Sequence, residues 1–384
     1  MKSSLPLAIT GFALIAITYG LARFSWGLML PAVNHDIPLS ASQAGMIAAS
    51  SFAAYCIAVL GASPLSARYG SRLSAIITAL CAAAGLLLMA MATSPALLGF
   101  GLFIAGLSPG LASPSLADAV SLRVAEHRQP QVNTLINAGT GAGIILSVPI
   151  LFFMPGGWRA ACVVFALIAL ACLLLVVRYL PAEKRPKDRN GARLLSPAIR
   201  RMAVIAFISG FASAAWWSFG PQILQQQLHV ESTMTSMLWL LSGGAGILGI
   251  FTGPLIRRHG INAVYRVALF FMVIPLLILT FSHGFNNGLY AAVALAGVGY
   301  ITLSAVLLVS GAAAIPNAPA TGVGIAFFML AAGQAAGALI FGRLYVDTGA
   351  SVSLSLFAVI GALMLFFTPP AQSDPCFCLK PPSP

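Results

Sequence analysis

The chain has 384 residues, of which 59% are hydrophobic and only 7% are charged, and its mean hydropathy is +0.95. About a quarter of the residues of an ordinary soluble domain are charged, so this composition excludes a soluble globular protein. The formal net charge is +12, which we interpret as a basic surface facing anionic lipid; it does not require a nucleic-acid partner.

Apolar segments long enough to cross a membrane follow one another along the whole chain. A membrane helix needs about 20 mostly apolar residues, and breaks at polar and Gly/Pro clusters separate twelve such segments. They lie at about residues 7–31, 43–64, 73–93, 96–117, 133–154, 159–180, 202–221, 235–256, 263–282, 288–312, 320–342 and 350–368. The sequence therefore predicts an all-α membrane protein with twelve transmembrane helices. The first segment is long for a signal peptide and eleven others follow it, so we expect it to be retained.

The first segment contains a single charged residue, Arg23. An arginine at the centre of a membrane helix costs about 2.5–3.5 kcal/mol on insertion scales and usually faces a cavity or the bundle interior. Tyr19, Arg23 and Trp26 have the spacing of one helical face, and a guanidinium suits a carboxylate. We therefore predict that Arg23 binds or orients substrate, with Tyr19 and Trp26 in the wall. The alternative is a structural Arg23, bonded to carbonyls of the fifth segment or to a side chain such as Asn137.

The distribution of basic residues predicts that both termini are cytoplasmic. With Met1 inside, seventeen of the twenty Lys and Arg residues lie on the inner side, whereas only Arg159 and Arg343 lie outside, as the positive-inside rule requires. Residues 181–201 form a basic linker between residues 1–180 and 202–369, which hold six segments each. Residues 370–384 have the composition of a disordered cytoplasmic tail.

The two halves resemble each other in sequence. At an offset of 190 residues, identical residues align in four places: Gly20 with Gly210, Trp26 with Trp216, Pro31 with Pro221, and Gly143 with Gly333. The loop at residues 63–72 also matches the loop at residues 253–262 at Pro, Leu, Arg and Gly positions. Two parallel six-helix repeats indicate a transporter whose site lies between the repeats near the membrane midplane.

Several motifs resemble the major facilitator superfamily over about residues 7–368. They are Pro64-Leu65-x-x-Arg68-Tyr69-Gly70-x-Arg72, its counterpart with Arg258 and Gly260, Gly106-Leu-Ser-Pro-Gly110, and Trp158-Arg159. The stretches from Tyr19 to Pro31 and from Asn137 to Gly143 are similar to bacterial permeases of the arabinose-efflux and cyanate-transport-like group. The resemblance implies a monomeric secondary transporter of the bacterial inner membrane that rocks two bundles about a central site. It also implies cytoplasmic gating loops at Arg68, Gly70, Arg72, Arg258 and Gly260.

Two positions depart from the family pattern. Ala67 stands where the loop after the second helix usually has an acid, and Arg257 stands at its counterpart. Gly101 stands where proton-coupled drug antiporters of the family have an arginine. Neither the charge relay of that loop nor the antiporter arginine is therefore carried over to this chain.

The eight acidic residues all lie away from the predicted midplane. Asp118, at the inner end of the fourth segment, comes nearest and is the candidate coupling residue. The alternative is an interfacial charge that pairs with Arg123 or a neighbour. A midplane carboxylate is the usual site for a proton or a cationic substrate, so its absence argues against a polycation exporter. Protons or a counter-ion remain the candidate coupling partners.

The second half differs from the first in its polar residues. Ser213 aligns with Arg23, and Trp216 aligns with Trp26. Trp216, or its neighbour Trp217, is a candidate cavity residue, with a place in the interfacial aromatic belt as the alternative. Gln334, in the eleventh segment, is a further substrate-binding candidate, with a helix–helix hydrogen bond as the alternative.

Other chemistries lack a signature in the sequence. There is no Walker loop, and the Gly139–Gly143 run lies in an apolar segment with no preceding strand. Cys376 and Cys378 lack a second pair for zinc, and no nucleophile, base or metal cluster indicates an enzyme or a cofactor. We expect a transporter that exports a small organic molecule, the direction being implied by the resemblance. The alternatives are an importer or exchanger of a small organic anion bound through Arg23, and a non-transporting membrane sensor.

Overall fold

The computed structural model describes residues 4–39, 41–183, 196–316 and 318–369. Most of the predicted linker and the whole predicted tail, with Cys376 and Cys378, lie outside the described residues. Within them the chain is helical and contains no strand. The predicted all-α membrane class is confirmed.

We number the helices α1 to α12. Their bounds are α1 (Leu5–Ile15, Ala16–Phe24 and Ser25–Asp36), α2 (Ala41–Tyr69), α3 (Ser71–Ala90), α4 (Pro95–Arg123), α5 (Gln129–Asn137 and Gly139–Phe153), α6 (Gly157–Tyr179), α7 (Pro197–Gln222 and Ile223–Gln227), α8 (Ser232–Gly246, Ile247–Phe251 and Thr252–His259), α9 (Ile261–Phe281), α10 (Gly288–Ala314), α11 (Pro319–Thr348) and α12 (Ala350–Leu363, then Met364–Phe366). A 3₁₀ turn, Glu126–Arg128, precedes α5. In the described part of the chain, eleven helices are long and apolar enough to span a membrane, and the last apolar helix, Ala350–Phe366, is shorter.

Several helices extend past their predicted ends, and α2 does so through a proline. The prediction ended this segment at Pro64, but the helix continues through Pro64 to Tyr69. One proline removes a single backbone hydrogen bond, which a membrane helix tolerates where its neighbours pack closely. The helix ends instead where Gly70 takes a φ of 89°, a conformation that glycine adopts without a Cβ penalty. Gly260 ends α8 in the same way, with a φ of 79°.

Two close helix crossings explain two of the identical pairs found at the 190-residue offset. Where α1 crosses α5, a Cβ on Gly20 would collide with the backbone of Gly143. Where α7 crosses α11, a Cβ on Gly210 would collide with the α11 backbone, and one on Gly333 with the α7 backbone. Small residues permit such close approach in a membrane, where helices have no hydrophobic reason to associate. The sequence repeat therefore corresponds to a repeated packing contact.

The Trp158-Arg159 motif joins three helix ends. Trp158 Nε1 donates a hydrogen bond to Asp36 Oδ2 at 2.9 Å, and Arg159 forms an ion pair with the same carboxylate. Arg159 Nη2 also donates to the Ala92 carbonyl at 3.1 Å. Hydrogen bonds from His35, Trp158 and Arg159 lower the pKa of Asp36 below its usual value of 3.8. These contacts hold the ends of α1, α3 and α6 together.

Candidate functional site

Arg23 lies in a π-helical stretch of α1, Ala16–Phe24. The i→i+5 hydrogen bonds of a π-helix put more residues into each turn than an α-helix has, and such stretches are frequent at functional sites. Tyr19 remains next to Arg23, with its ring centroid 5.9 Å from the guanidinium carbon. Trp26 is buried, with 8% of its surface exposed, but it is not among the four rings nearest to that carbon. The predicted three-residue face is therefore only partly formed.

Four aromatic rings surround the Arg23 guanidinium. Its central carbon lies 4.7 Å from the ring centroid of Phe52, 4.9 Å from Tyr55, 5.5 Å from Phe24 and 5.9 Å from Tyr19. Ring faces attract cations, and they do so more strongly when the cation is desolvated. None of the ion pairs formed among the described residues includes Arg23. The rings thus stabilise a half-buried positive charge to which the described side chains supply no counter-charge.

Gln334 connects Arg23 to the second half of the chain. Arg23 Nη2 donates to Gln334 Oε1 at 3.1 Å, and Gln334 Nε2 donates to Ser213 Oγ at 3.2 Å and to Tyr300 OH at 3.3 Å. A guanidinium can only donate, so this contact orients the amide. Gln334 is 2% exposed. Arg23 and Ser213, which occupy equivalent positions in the two halves, therefore flank one glutamine of α11.

A second polar cluster lies on the other side of Arg23. The Tyr19 hydroxyl is 3.0 Å from the Tyr55 hydroxyl and 3.1 Å from Ser113 Oγ, and all three side chains are buried. Through these bonds α1 contacts α2 and α4. Since buried hydroxyls need hydrogen-bond partners, the cluster fixes the Tyr19 ring beside Arg23.

We use the term aromatic wall for Phe24, Trp217, Tyr300 and Trp239. Ring centroids lie 4.7 Å apart for Phe24 and Trp217, 4.9 Å for Trp217 and Tyr300, and 5.5 Å for Trp217 and Trp239. Trp216 packs against Trp239 at 5.9 Å and is 3% exposed. The tryptophan that contacts Phe24 of α1 is thus Trp217, whereas Trp216 contacts Trp239 and lines a small cavity together with Trp217 and Ser213. The Nε1 of Trp216 is buried without a hydrogen-bond partner in the described part of the chain.

Asn137 contacts α10 and does not hold Arg23. Its Nδ2 donates to the Ile301 carbonyl at 3.1 Å and to Ser304 Oγ at 2.8 Å. The side chain to which Arg23 bonds is Gln334 and not Asn137. Asn137 instead joins the two halves at a second point.

Asp118 is 4% exposed and lies within α4. It is five residues beyond Ser113, which corresponds to about 7.5 Å along a helix. Arg123, the partner considered for Asp118 from sequence, forms an ion pair with Glu183. Asp118 thus belongs to the helix that supplies Ser113 to the Tyr19 cluster.

The predicted gating residues have different surroundings. Arg72 Nε donates to the Leu180 carbonyl at 2.7 Å at the end of α6, while the exposed Arg68 packs over the Tyr69 ring. Arg258 is exposed. Arg72 therefore stabilises a contact within the first half.

The two halves meet at the end of the molecule where α2 joins α3. Ser63 Oγ lies 2.6 Å from Thr321 Oγ1, which links α2 to α11. The Gly253 amide donates to Thr134 Oγ1 at 3.1 Å, which links α8 to α5. In the same region the Gln131 amide, turned so that its oxygen faces Arg257, accepts from that guanidinium at 2.9 Å. These contacts close this end between the halves.

Six residues of the site were not predicted from the sequence: Phe24, Phe52, Tyr55, Ser113, Trp239 and Tyr300. The two tyrosines carried a usable signal, because a tyrosine deep in an apolar segment needs a partner for its hydroxyl. Phe52 carried none, since a phenylalanine in such a segment is equally suited to lipid. Among the described residues, no group of three or more potential metal ligands comes together.

The comparisons with known proteins agree with this architecture. The profile of the Major Facilitator Superfamily matches residues 12–338. The human organic anion transporter MFSD10 (TETRAN) superposes with a TM-score of 0.75 at 17% identity, covering 95% of this chain and 99% of that chain. The proton:xylose symporter XylE, bound to 6-bromo-6-deoxy-D-glucose, gives 0.77 at 15% identity, covering 95% of each chain. FucP in its outward conformation gives 0.71 at 18% identity, covering 94% of this chain and 97% of that chain. With most of its length matched by the family profile, the chain belongs to the Major Facilitator Superfamily and is a membrane transporter, not an enzyme.

Proposed function

We propose that the protein is a secondary active transporter for small organic molecules that carry an anionic group, and that Arg23 binds this group. One observation carries the proposal: the Arg23 guanidinium lies among rings where α1 meets α11, and its hydrogen-bond acceptor there is a neutral amide. An ionised group in a membrane interior is expensive and marks a substrate pathway more often than a lipid contact. A bound carboxylate would provide the counter-charge.

The transport cycle follows from the contacts between the halves. We propose that residues 1–180 and 202–369 form two bundles that rock about the site, as in other transporters built from repeats. The contacts of Ser63 with Thr321 and of Thr134 with Gly253 would close the cytoplasmic side. Both termini would then be cytoplasmic in a bacterial inner membrane, with the protein working as a monomer.

The direction of transport and the ion that drives it do not follow from the surroundings of Arg23. Outward transport is proposed from the resemblance to the arabinose-efflux and cyanate-transport-like group. Protons or a counter-ion would drive it, and Asp118, buried in α4, is the acid we propose for proton coupling.

A second function, export of neutral or cationic drug-like compounds, is supported by the aromatic wall. Ring faces bind apolar surface whatever charge the compound carries, and they attract cations. The two functions differ in their dependence on Arg23, since an apolar or cationic compound gains nothing from the guanidinium.

Ligand-induced stabilisation of the purified protein tests the proposal. A ligand at one hundred times its dissociation constant stabilises the fold by about 2.7 kcal/mol. We expect small organic anions to raise the melting temperature of the wild type and of the control Arg343→Gln, whose parent side chain is 85% exposed. The shift should disappear in Arg23→Gln and decrease in Arg23→Lys. Equal anion-induced shifts in folded Arg23→Gln and wild type would contradict the proposal.

A further inference from the structure

We infer that the anionic substrate is a monocarboxylate attached to a flat aromatic ring. The inference rests on the proposed function, because it takes Arg23 as the site of the anionic group. To that function it adds two properties of the substrate: the number of its negative charges and the shape of the part that carries no charge. Both follow from what surrounds Arg23.

The charge of the site favours a single negative group. Among the described side chains that line it, Arg23 is the cation, and the others are aromatic rings, hydroxyls and one amide. A phosphate or a dicarboxylate would bring a second negative charge into the membrane interior without a partner, and an unpaired buried charge is strongly unfavourable. One carboxylate leaves the pair neutral.

The polar side chains of the site are already paired with one another. Tyr19 bonds to Tyr55 and Ser113, and Gln334 bonds to Ser213 as well as to Arg23. A polyhydroxyl substrate would have to replace these bonds one by one. A ring with one carboxylate replaces only the acceptor of Arg23, so the second cluster can stay intact.

Rings from both halves meet next to Arg23, so a planar group that enters there would lie between aromatic rings once the halves move apart. Phe24 of α1 and Trp217 of α7 have centroids 4.7 Å apart, and Tyr300 lies 4.9 Å from Trp217. A flat ring that separates Phe24 from Trp217 gives each of them a new ring neighbour. A saturated ring of similar volume gives only apolar contact, without the preferred geometry of an aromatic pair. The aromatic wall therefore favours aromatic over saturated carboxylates.

Binding of five probes to the purified full-length protein tests the inference, with thermal shift and tryptophan fluorescence as readouts. The probes are benzoate, cyclohexanecarboxylate, benzamide, phthalate and gluconate. We expect benzoate to bind about two- to tenfold more tightly than cyclohexanecarboxylate, since one aromatic pair contributes about 0.5–1.5 kcal/mol. Benzamide lacks the charge, phthalate carries a second one and gluconate replaces the ring with hydroxyls. All three should bind more weakly than benzoate.

Substitutions at the rings and at Arg23 separate the contribution of the ring from that of the charge. Trp217→Leu should remove the preference for benzoate over cyclohexanecarboxylate, and Phe24→Leu provides the same test should the first variant not fold. Phe281→Leu, at a ring that is 74% exposed, is the matched control and should keep the preference. Arg23→Gln should abolish binding of both carboxylates.

The outcomes distinguish the inference from the function on which it rests. Equal affinities for benzoate and cyclohexanecarboxylate, both lost in Arg23→Gln, would overturn the aromatic preference and leave the organic-anion function standing. Tighter binding of phthalate or gluconate than of benzoate would also overturn the aromatic monocarboxylate and leave the organic-anion function standing. Benzamide binding as tightly as benzoate, or carboxylate binding that survives Arg23→Gln, would overturn both.

Discussion

At the scale of single residues, the chemistry of the site depends on how Arg23 is stabilised. Four rings lie within 6 Å of its guanidinium carbon, and its hydrogen bond goes to the amide oxygen of Gln334. Cation–π contacts contribute about 0.5–2 kcal/mol each, depending on desolvation. They reduce the cost of burying the charge without neutralising it, which leaves the guanidinium available to an anion.

Replacing Gln334 with glutamate tests this view of Arg23. The new carboxylate would lie at the present position of the amide, whose oxygen is 3.1 Å from Arg23 Nη2, and would supply the missing counter-charge. We expect Gln334→Glu to reduce binding of organic anions by at least about tenfold, which corresponds to about 1.4 kcal/mol, because the internal ion pair competes with the ligand. Isothermal titration calorimetry in detergent measures the change.

The matched control is Gln222→Glu. Gln222 is an exposed residue of α7 whose amide donates to Gln226 at 2.9 Å, so its replacement adds the same charge away from Arg23. The affinity of Gln222→Glu for organic anions should equal that of the wild type. Unchanged anion affinity in a folded Gln334→Glu protein would show that the ligand does not compete for Arg23.

At the scale of helices, close backbone contacts set the positions of α1 and α7. Gly20 and Gly143 bring α1 against α5, and Gly210 and Gly333 bring α7 against α11. These crossings lie on the helices that carry Arg23 and Gln334. A helix that is pushed outward at one of them would carry its polar side chain away from the interface.

Adding a methyl group at these crossings should destabilise the protein. A Cβ at Gly143 would overlap the backbone of α1, and one at Gly333 would overlap the backbone of α7, so backbone has to move. Overpacking of this kind costs about 1–3 kcal/mol. We expect Gly143→Ala and Gly333→Ala to lower the melting temperature, whereas Gly244→Ala, whose nearest neighbour is a side-chain atom at 3.8 Å, should not. Similar melting temperatures for all three variants would refute the packing argument.

At the scale of the whole molecule, the two halves touch at the end that holds the loop between α2 and α3. Ser63 and Thr321 provide the shortest of the side-chain contacts there, with their oxygens 2.6 Å apart. In a transporter that works by alternating access, this contact has to open once in each cycle.

A reversible cross-link tests whether the contact between Ser63 and Thr321 opens during transport. The double variant Ser63→Cys/Thr321→Cys places two thiols at positions whose side chains now touch, which is compatible with the short Cβ separation of a disulfide. We expect oxidation to stop transport of a bound anion in proteoliposomes while leaving its binding unchanged, and reduction to restore transport. Ser63→Cys and Thr321→Cys alone are the controls and should be insensitive to oxidation. Full transport by the cross-linked protein would show that transport does not require this end to open.

The sequence by itself determined the class of the protein and the order of its segments. Membrane-spanning length and apolar composition are local properties, so each segment could be recognised without knowledge of its neighbours. The repeat was also accessible, because close helix crossings require small residues and Gly20 and Gly210 align at one offset. Arg23 stood out for an equally local reason, since a lone charge in an apolar segment is costly wherever the helix packs.

Only the tertiary structure decided which residues meet Arg23. Gln334 lies 311 positions away in the chain, and Phe52 looks from sequence like any lipid-facing ring. The rotation of each helix about its axis depends on packing between helices, and lipid is nearly as apolar as the helix faces that pack together. Apolar periodicity therefore leaves the inward face of a membrane helix undefined. The π-helical stretch of α1 adds a second effect, because it puts more residues into each turn than the α-helical spacing used for the prediction.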